Sequence, residues 1–335
     1  MGRKLRPDWQ DALHHIMVRG IDGSSVFWDD SDKSYLINRL SELVPELDVS
    51  IYAWVIMPNH LHLLARTGKF PISSFMQRLL TGYAVVYNRS RNRHGYVFQD
   101  RFKSILVQDD AYFMKLVMYI HTNPLKASIA STIEELNRYR WSGHLALIEK
   151  TDAPWQKRNA VLSKFGENRT EQINNYLQCI NAEAYNNSTK DYVSGTYRIG
   201  KDGIQPVDPG NIDVWESCRI LGDKKFALKT AARIKMLQPR SIRNREEENS
   251  YIEELFEWYK CNKGLSKVMI SGNGRTPELC DARAEIAWIL TKNLGLSQND
   301  CSKILRMSRS GVRKAIERAG KSIKKGSFIP DFDIQ

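Results

Sequence analysis

The sequence predicts an α+β protein: an antiparallel sheet with helices, followed by an all-α C-terminal region. Three observations carry this. Short runs rich in β-branched and aromatic residues alternate with helix-period segments up to about residue 130. Beyond residue 250 only the helical period recurs. Between them, at 186–211, Asn, Ser, Gly, Pro and Asp gather without period (NNSTK, SGTYRIGKDGIQPVDPGN), as in a linker or long loop.

Residues 14–19 (HHIMVR) read as a first strand. Residues 30–47 read as a helix, with Tyr35, Leu36, Leu40, Leu43 and Leu47 at helical spacing and Asp30, Ser31 and Asp32 as N-cap candidates. Residues 49–56 (VSIYAWVI) and 60–65 (HLHLLA) read as a hairpin turning at Met57-Pro58-Asn59. A helix over 72–87 and a strand over 98–107 follow. Asp109 and Asp110 then cap a helix from 111 to about 122, which Pro124 stops. The order β-α-β-β-α-β-α gives a ferredoxin-like antiparallel sheet with helices on one face. Residues 155–185 and 212–235 read as helical, 238–249 as a charged connector, and 250–320 as a compact helical set. The chain divides into a domain at 1–150, a helical middle region with linkers at 151–249, and a helical domain at 250–335.

A composition of 42% hydrophobic and 26% charged residues is that of an ordinary globular protein. The net charge of +12 suggests a polyanionic partner, nucleic acid being the commonest, although a solvated basic surface has the same composition. Cys179, Cys218, Cys261, Cys280 and Cys301 form no C-x-x-C pair, which argues against a disulfide framework or structural zinc and fits a reducing cytosol. The basic start (Met1 to Pro7) runs into Asp8, Gln10 and Asp11, unlike a signal peptide. No run approaches the ~18 apolar residues of a membrane span. A cytoplasmic, nucleoid-associated protein is expected.

Two sets of residues suggest chemistry. His60 and His62, two apart on a strand, point to one face, opposite Leu61 and Leu63, and form half of a metal site. Alone, the pair is equally that of two surface histidines. Tyr119 and Asn123, four apart on a helix, share a side. Alone, Tyr119 reads as a core residue of an apolar helix. Together they make sense. A phenol, with a pKa of about 10, is a poor nucleophile at neutral pH. A cation on the target phosphate stabilises the transition state. Two imidazoles with an amide oxygen suit Mn2+ and make a poor structural zinc site, while Mg2+ is far more available in cells, so Mg2+ or Mn2+ is expected. Arg101 and Lys103, alternating about Phe102 on one strand, would hold a phosphate backbone nearby, or simply be a solvated edge. Arg78, Tyr87, Arg89, Arg91 and Arg93 add charge with an aromatic on which bases could stack.

In the C-terminal region, 297–305 and 308–319 have the form of a helix-turn-helix, each opening on a Ser in N-cap position. From Ser297 to Lys325, nine basic residues face only Asp300 and Glu317 as acids. That asymmetry suits a groove-binding helix.

The motifs MPNHLHLL (57–64), FQDRFKS (98–104) and YIHTNPLKA (119–127) resemble those of the single-tyrosine HUH transposases, and among them the REP-associated tyrosine transposases of bacteria. The resemblance covers about residues 10 to 145. It implies a ferredoxin-like catalytic domain acting on single-stranded DNA folded into hairpins, and a homodimer. It also implies His60 and His62 as metal ligands, Asn123 as a third, and Tyr119 as the nucleophile, with Tyr112 as its rival two turns earlier. Residues 281–319 resemble the DNA-binding domain of the replication initiator DnaA, which implies that Arg309, Ser310, Arg313 and Lys314 face a duplex stem. The expected activity is metal-dependent cleavage and rejoining of single-stranded DNA through a 5′-phosphotyrosine. The alternative is a catalytically silent DNA-binding regulator derived from such an enzyme. A helicase-bearing initiator lacks support, since no G-x-x-x-x-G-K-[ST] loop occurs, and H-E-x-x-H is absent too.

Overall fold

The computed structural model describes residues 8–185, 192, 195–200, 203–207, 218–237, 245–292 and 294–324. The basic start at 1–7, parts of the expected linkers and Lys325 lie outside these. The chain forms two compact units, Met1–Lys229 and Thr230–Gln335.

In the first unit, β1 (Leu13–Arg19), α1 (Asp30–Glu46), β2 (Ser50–Ile56), β3 (His60–Arg66), α2 (Ile72–Ser90), β4 (Lys103–Val107) and α3 (Asp109–Lys126) follow the expected order. The strands lie β2-β3-β1-β4, all antiparallel, with Met17 of β1 opposite His62 on one side and Lys103 on the other. This is the ferredoxin-like arrangement. The cap of α1 is Asp29, one residue before the expected candidates: its carboxylate accepts from the Asp32 N–H at 2.9 Å while Asp32 reaches back.

Three expectations are corrected. First, helices cover both faces of the sheet. Ile16, Val18, Leu61 and Leu63 pack on α1 and α2. Leu13, Met17, Leu64 and Ile105 on the opposite face pack under Leu116, Val117 and Ile120 of α3. Apolar residues alternate on both sides of each strand, so neither face is left to solvent. Second, α3 runs through Pro124 to Lys126. Proline stands in the last turn, where its missing N–H costs one bond and the helix is ending anyway. Third, β4 begins at Lys103; Phe98 makes only an isolated bridge to Gly20, and Arg101 lies in a bend.

After the short helices α4 (Ile133–Leu136), α5 (His144–Leu147) and α6 (Arg158–Leu162), α7 (Arg169–Ala184) packs on α3. The stretch expected to be a linker contains a hairpin, β5 (Tyr197–Gly200) and β6 (Gly203–Pro206). The stretch read as helical from 212 contains β7 (Cys218–Leu221) before α8 (Lys224–Leu237). β7 pairs parallel with β4 and antiparallel with β5, extending the sheet to seven strands. Four-residue strands are too short to show a period, which is why they read otherwise.

The second unit is helical: α9 (Arg245–Lys263), α10 (Lys267–Ile270), α11 (Pro277–Lys292), α12 (Gln298–Leu305) and α13 (Arg309–Lys324). α9 thus begins inside the expected connector. Leu255, Phe256, Tyr259, Ile286, Leu290, Leu305 and Val312 form its core. Buried Arg283 donates to the Ile270 and Gly272 carbonyls at 2.6 Å each, satisfying the end of α10. Among the described residues, no helix is long and apolar enough to cross a membrane.

Candidate active site and nucleic-acid interface

The tight turn before β3 sets its register, and the two-residue period then puts His60 and His62 on the α3 side of the sheet. Their rings lie 5.1 Å apart. The Nδ1 of His60 is 2.6 Å from Asn59 Oδ1, and the Asn59 amide nitrogen donates to the Gly23 carbonyl at 3.1 Å. The Nδ1 of His62 is 2.9 Å from Nε2 of His15, whose own Nδ1 is 2.8 Å from the Tyr192 carbonyl oxygen. His62 is 5% exposed and His15 fully buried. Burial lowers the pKa of His60 to about 4, with the nearby Arg19 charge adding to it. Burial likewise takes His15 to about 4 and His62 well below its ordinary value. All three rings are therefore neutral at pH 7, the form in which imidazole binds a metal.

α3 brings Tyr119 onto these histidines. The Tyr119 ring is 5.9 Å from His62 and 5.9 Å from His15, and it is 6% exposed. Burial pushes its phenol up to about 12, hydrogen bonding with the Asn123 side chain acts against this, and the Glu183 carboxylate adds to it. Because α3 continues past Asn123, the four-residue spacing is realised: the Asn123 amide nitrogen donates to the Tyr119 carbonyl at 2.8 Å. The helix is held at both ends. Arg66 of β3 pairs with Asp109 at its start. Lys126 at its end lies 2.7 Å from Glu183 of α7, with its ammonium 5.0 Å from the centre of the Tyr119 ring. Tyr112, the rival nucleophile, stands two turns nearer the start, with Lys115 at 5.5 Å from its ring.

The donor set fits a divalent cation. Two neutral imidazoles engaged at Nδ1, with an amide oxygen on the facing helix, are nitrogen and oxygen ligands of the kind Mn2+ accepts. Among the described residues no group of three His, Cys, Asp or Glu could hold a metal, so a third protein ligand here would be the Asn123 amide.

Of the basic residues, Lys103 stands in one row across the sheet with Met17 and His62, on the site's face. Arg101 is exposed but off the strand, so the expected alternation does not hold. Tyr87 is buried, with the Arg91 guanidinium 4.3 Å from its ring centre, so it offers bases no free face. Arg91 pairs with Asp32 at 2.6 Å and Arg78 with Glu46 at 2.6 Å. Exposed aromatics among the described residues of this unit include Trp28, at 70%, and Tyr96, at 83%, besides Phe70 and Tyr185. Tyr96 adjoins the His60 end of the sheet: Ile21 N–H donates to the Val97 carbonyl at 3.0 Å, and Gly20 N–H to Asn59 at 2.8 Å.

Sequence reasoning missed His15, Lys126 and Tyr192. His15 had a signal, since it alternates with Leu13 and Met17 on a strand beside His62. Tyr192 had none.

In the second unit, Ser297 caps α12 by accepting from the Asp300 N–H at 3.2 Å, and Ser308 accepts from Gly311 N–H at 3.1 Å ahead of α13. Arg306 between them adopts a left-handed conformation, φ 49°. Leu305 and Val312 are buried in the seam, with Ile304, Met307 and Ile316 packed against it. Arg309, Ser310, Arg313 and Lys314 are all exposed, and Arg313 lies 3.5 Å from Glu317.

Residues 9–123, about a third of the chain, match the model of the family described as "Transposase IS200 like". No curated protein matches. Among solved structures, one titled "Structure of the REP associates tyrosine transposase bound to a REP hairpin" is similar at 17% identity and a TM-score of 0.37, covering 47% of this chain and 98% of that one.

Proposed function

We propose that this chain, with its IS200-like transposase segment, is a metal-dependent enzyme that nicks and rejoins hairpin-forming single-stranded DNA through Tyr119. One observation carries this reading: the Tyr119 ring packs against His62 and His15, with Asn123 one turn on. His60, His62 and the Asn123 oxygen would hold Mg2+ or Mn2+, which supplies charge stabilisation for a phosphate held against it.

The rest is the work of the chain. The Tyr119 oxygen attacks the phosphorus and gives its proton to solvent, and the bond to the 3′ oxygen breaks, that oxygen taking a proton from solvent. The products are a 5′-phosphotyrosine and a free 3′ hydroxyl. Attack by a 3′ hydroxyl on that link reverses the step, rejoining strands without ATP. With its pKa raised by burial, the phenol stays protonated until a bound strand changes its surroundings. Lys103, in the His62 row, and exposed Arg101 would attract the backbone, and Trp28 and Tyr96 offer faces for unpaired bases. The α12–α13 pair would read a duplex stem as a helix-turn-helix, through Arg309, Ser310, Arg313 and Lys314. A homodimer, as the resemblance implies, would pair two complete sites, and chromosome binding would make the protein nucleoid-associated.

The test is a denaturing gel after incubation with Mn2+ or Mg2+ and labelled hairpins from the gene's own flanks. A covalent adduct is expected, absent from Tyr119→Phe and after chelation. Tight binding without any adduct would instead favour the silent regulator.

A further inference from the structure

We propose that His15 and Asn59 are positioning residues that lock His62 and His60 as their Nδ1–H tautomers, leaving both Nε2 lone pairs for one cation. This rests on the metal-site reading above. Two short chains of hydrogen bonds fix the protons, each ending at a group that can only accept.

The first chain ends at the Tyr192 carbonyl, 2.8 Å from His15 Nδ1. A carbonyl oxygen has no proton to give, so His15 Nδ1 carries one. A second proton would make His15 a cation in a fully buried position with no ionic partner in these bonds, so Nε2 is bare. Bare Nε2 accepts at 2.9 Å from His62 Nδ1, which must then be the protonated nitrogen of that ring. The second chain ends at the Gly23 carbonyl, 3.1 Å from the Asn59 amide nitrogen. That bond fixes which end of the amide is which, so its oxygen faces His60 Nδ1 at 2.6 Å and accepts from it. Each ligand histidine thus has its proton fixed on the nitrogen away from the site.

The two chains enter from different places. Asn59 sits in the turn just before β3 and is part of the MPNHLHLL motif, so the motif carries its own orienting group. His15 comes from β1, two residues before Met17, the residue opposite His62. Outer partners of this kind typically change metal affinity about 10- to 100-fold when removed.

The test uses the full chain labelled with 15N-histidine, in the absence of metal. Long-range 1H–15N spectra report which ring nitrogen of His62 and His60 is protonated, and electron paramagnetic resonance of free Mn2+ reports affinity. His62 and His60 are expected as Nδ1–H forms. His15→Phe keeps the ring's bulk without its nitrogens, and should lose the single His62 tautomer and bind Mn2+ about 10- to 100-fold more weakly. His15→Gln has an amide nitrogen for Tyr192 and an oxygen for His62, and should restore both. A His62 protonated at Nε2 in the metal-free wild type overturns the proposal without any variant. So does a folded His15→Phe protein that binds Mn2+ as the wild type does. If His62→Ala leaves Mn2+ binding unchanged, the metal-site reading itself fails, whatever the tautomers are.

Discussion

The two units bury different things. In the first, the interior holds His14, His15, His62, His121, Thr122, Asn123, His144 and Arg219 among other polar groups. In the second, among the described residues, only Thr230 and Arg283 are buried polar residues, and the core is otherwise aliphatic and aromatic. Burying polar groups costs stability unless each is hydrogen-bonded in one geometry. The first unit meets that cost where α3 joins the sheet and α7, which is where Tyr119 sits. The second keeps a plain core and leaves its polar residues on the surface of α13. One unit is built to position atoms, the other to present charge.

Substitutions separate the two designs. Beyond the loss of adduct in Tyr119→Phe, the largest effect is expected from His62→Ala. It should cut adduct formation by at least about 100-fold, with hairpin affinity measured in chelator nearly unchanged. A parallel loss of DNA binding would mean that His62 supports the fold rather than the chemistry. In the second unit, Arg309→Ala, Arg313→Ala and Lys314→Ala combined should lower the slope of log K against log salt by about 2.7 on duplex-stemmed hairpins. Adduct formed at saturating DNA should stay within a few-fold of wild type. An unchanged salt slope would remove α13 as the reader.

The smallest effect concerns pH. His144 Nδ1 lies 2.6 Å from the Tyr176 hydroxyl and its Nε2 2.7 Å from Asn137 Oδ1. Burial lowers its pKa from 6.5 to about 4, so between these values the unfolded chain holds more protons than the folded one. The stability His144 contributes is complete above about pH 6.5 and falls as the pH drops toward 4, by about 2 kcal/mol at pH 5. Urea unfolding at pH 7 and pH 5 should show a smaller difference for His144→Gln than for wild type.

The first half of the fold was legible because its strands and helices are long enough to show their periods, and because H-x-H on a strand leaves one choice of face. The β5–β7 extension was not: β5 and β6 stand among Gly, Pro and Asn and look like loop, and the four residues of β7 are too few to interrupt a stretch read as helical. The continuation of α3 through Pro124 was missed by treating proline as a stop when it stood where the helix was already ending. In the candidate site, spacing paired His60 with His62 and Tyr119 with Asn123, while their roles came from the resemblance of the motifs around them. His15 carried a weaker signal, its alternation with Leu13 and Met17, which gains meaning only once β1 is seen to lie beside β3. Tyr192 meets His15 through its backbone carbonyl and Tyr119 through its ring, 5.4 Å away, and neither contact leaves a pattern in the sequence.

Tyr119 and His62 meet within one chain. Under the proposed chemistry the reaction is therefore first order in protein. At saturating DNA, turnover per chain is unchanged by dilution, even where copies associate. An exchanged helix, with one copy's tyrosine serving another's histidines, would instead slow each chain as the protein is diluted. A mixture of Tyr119→Phe and His62→Ala chains would likewise stay inactive here, whereas exchange would restore one working site in such a pair.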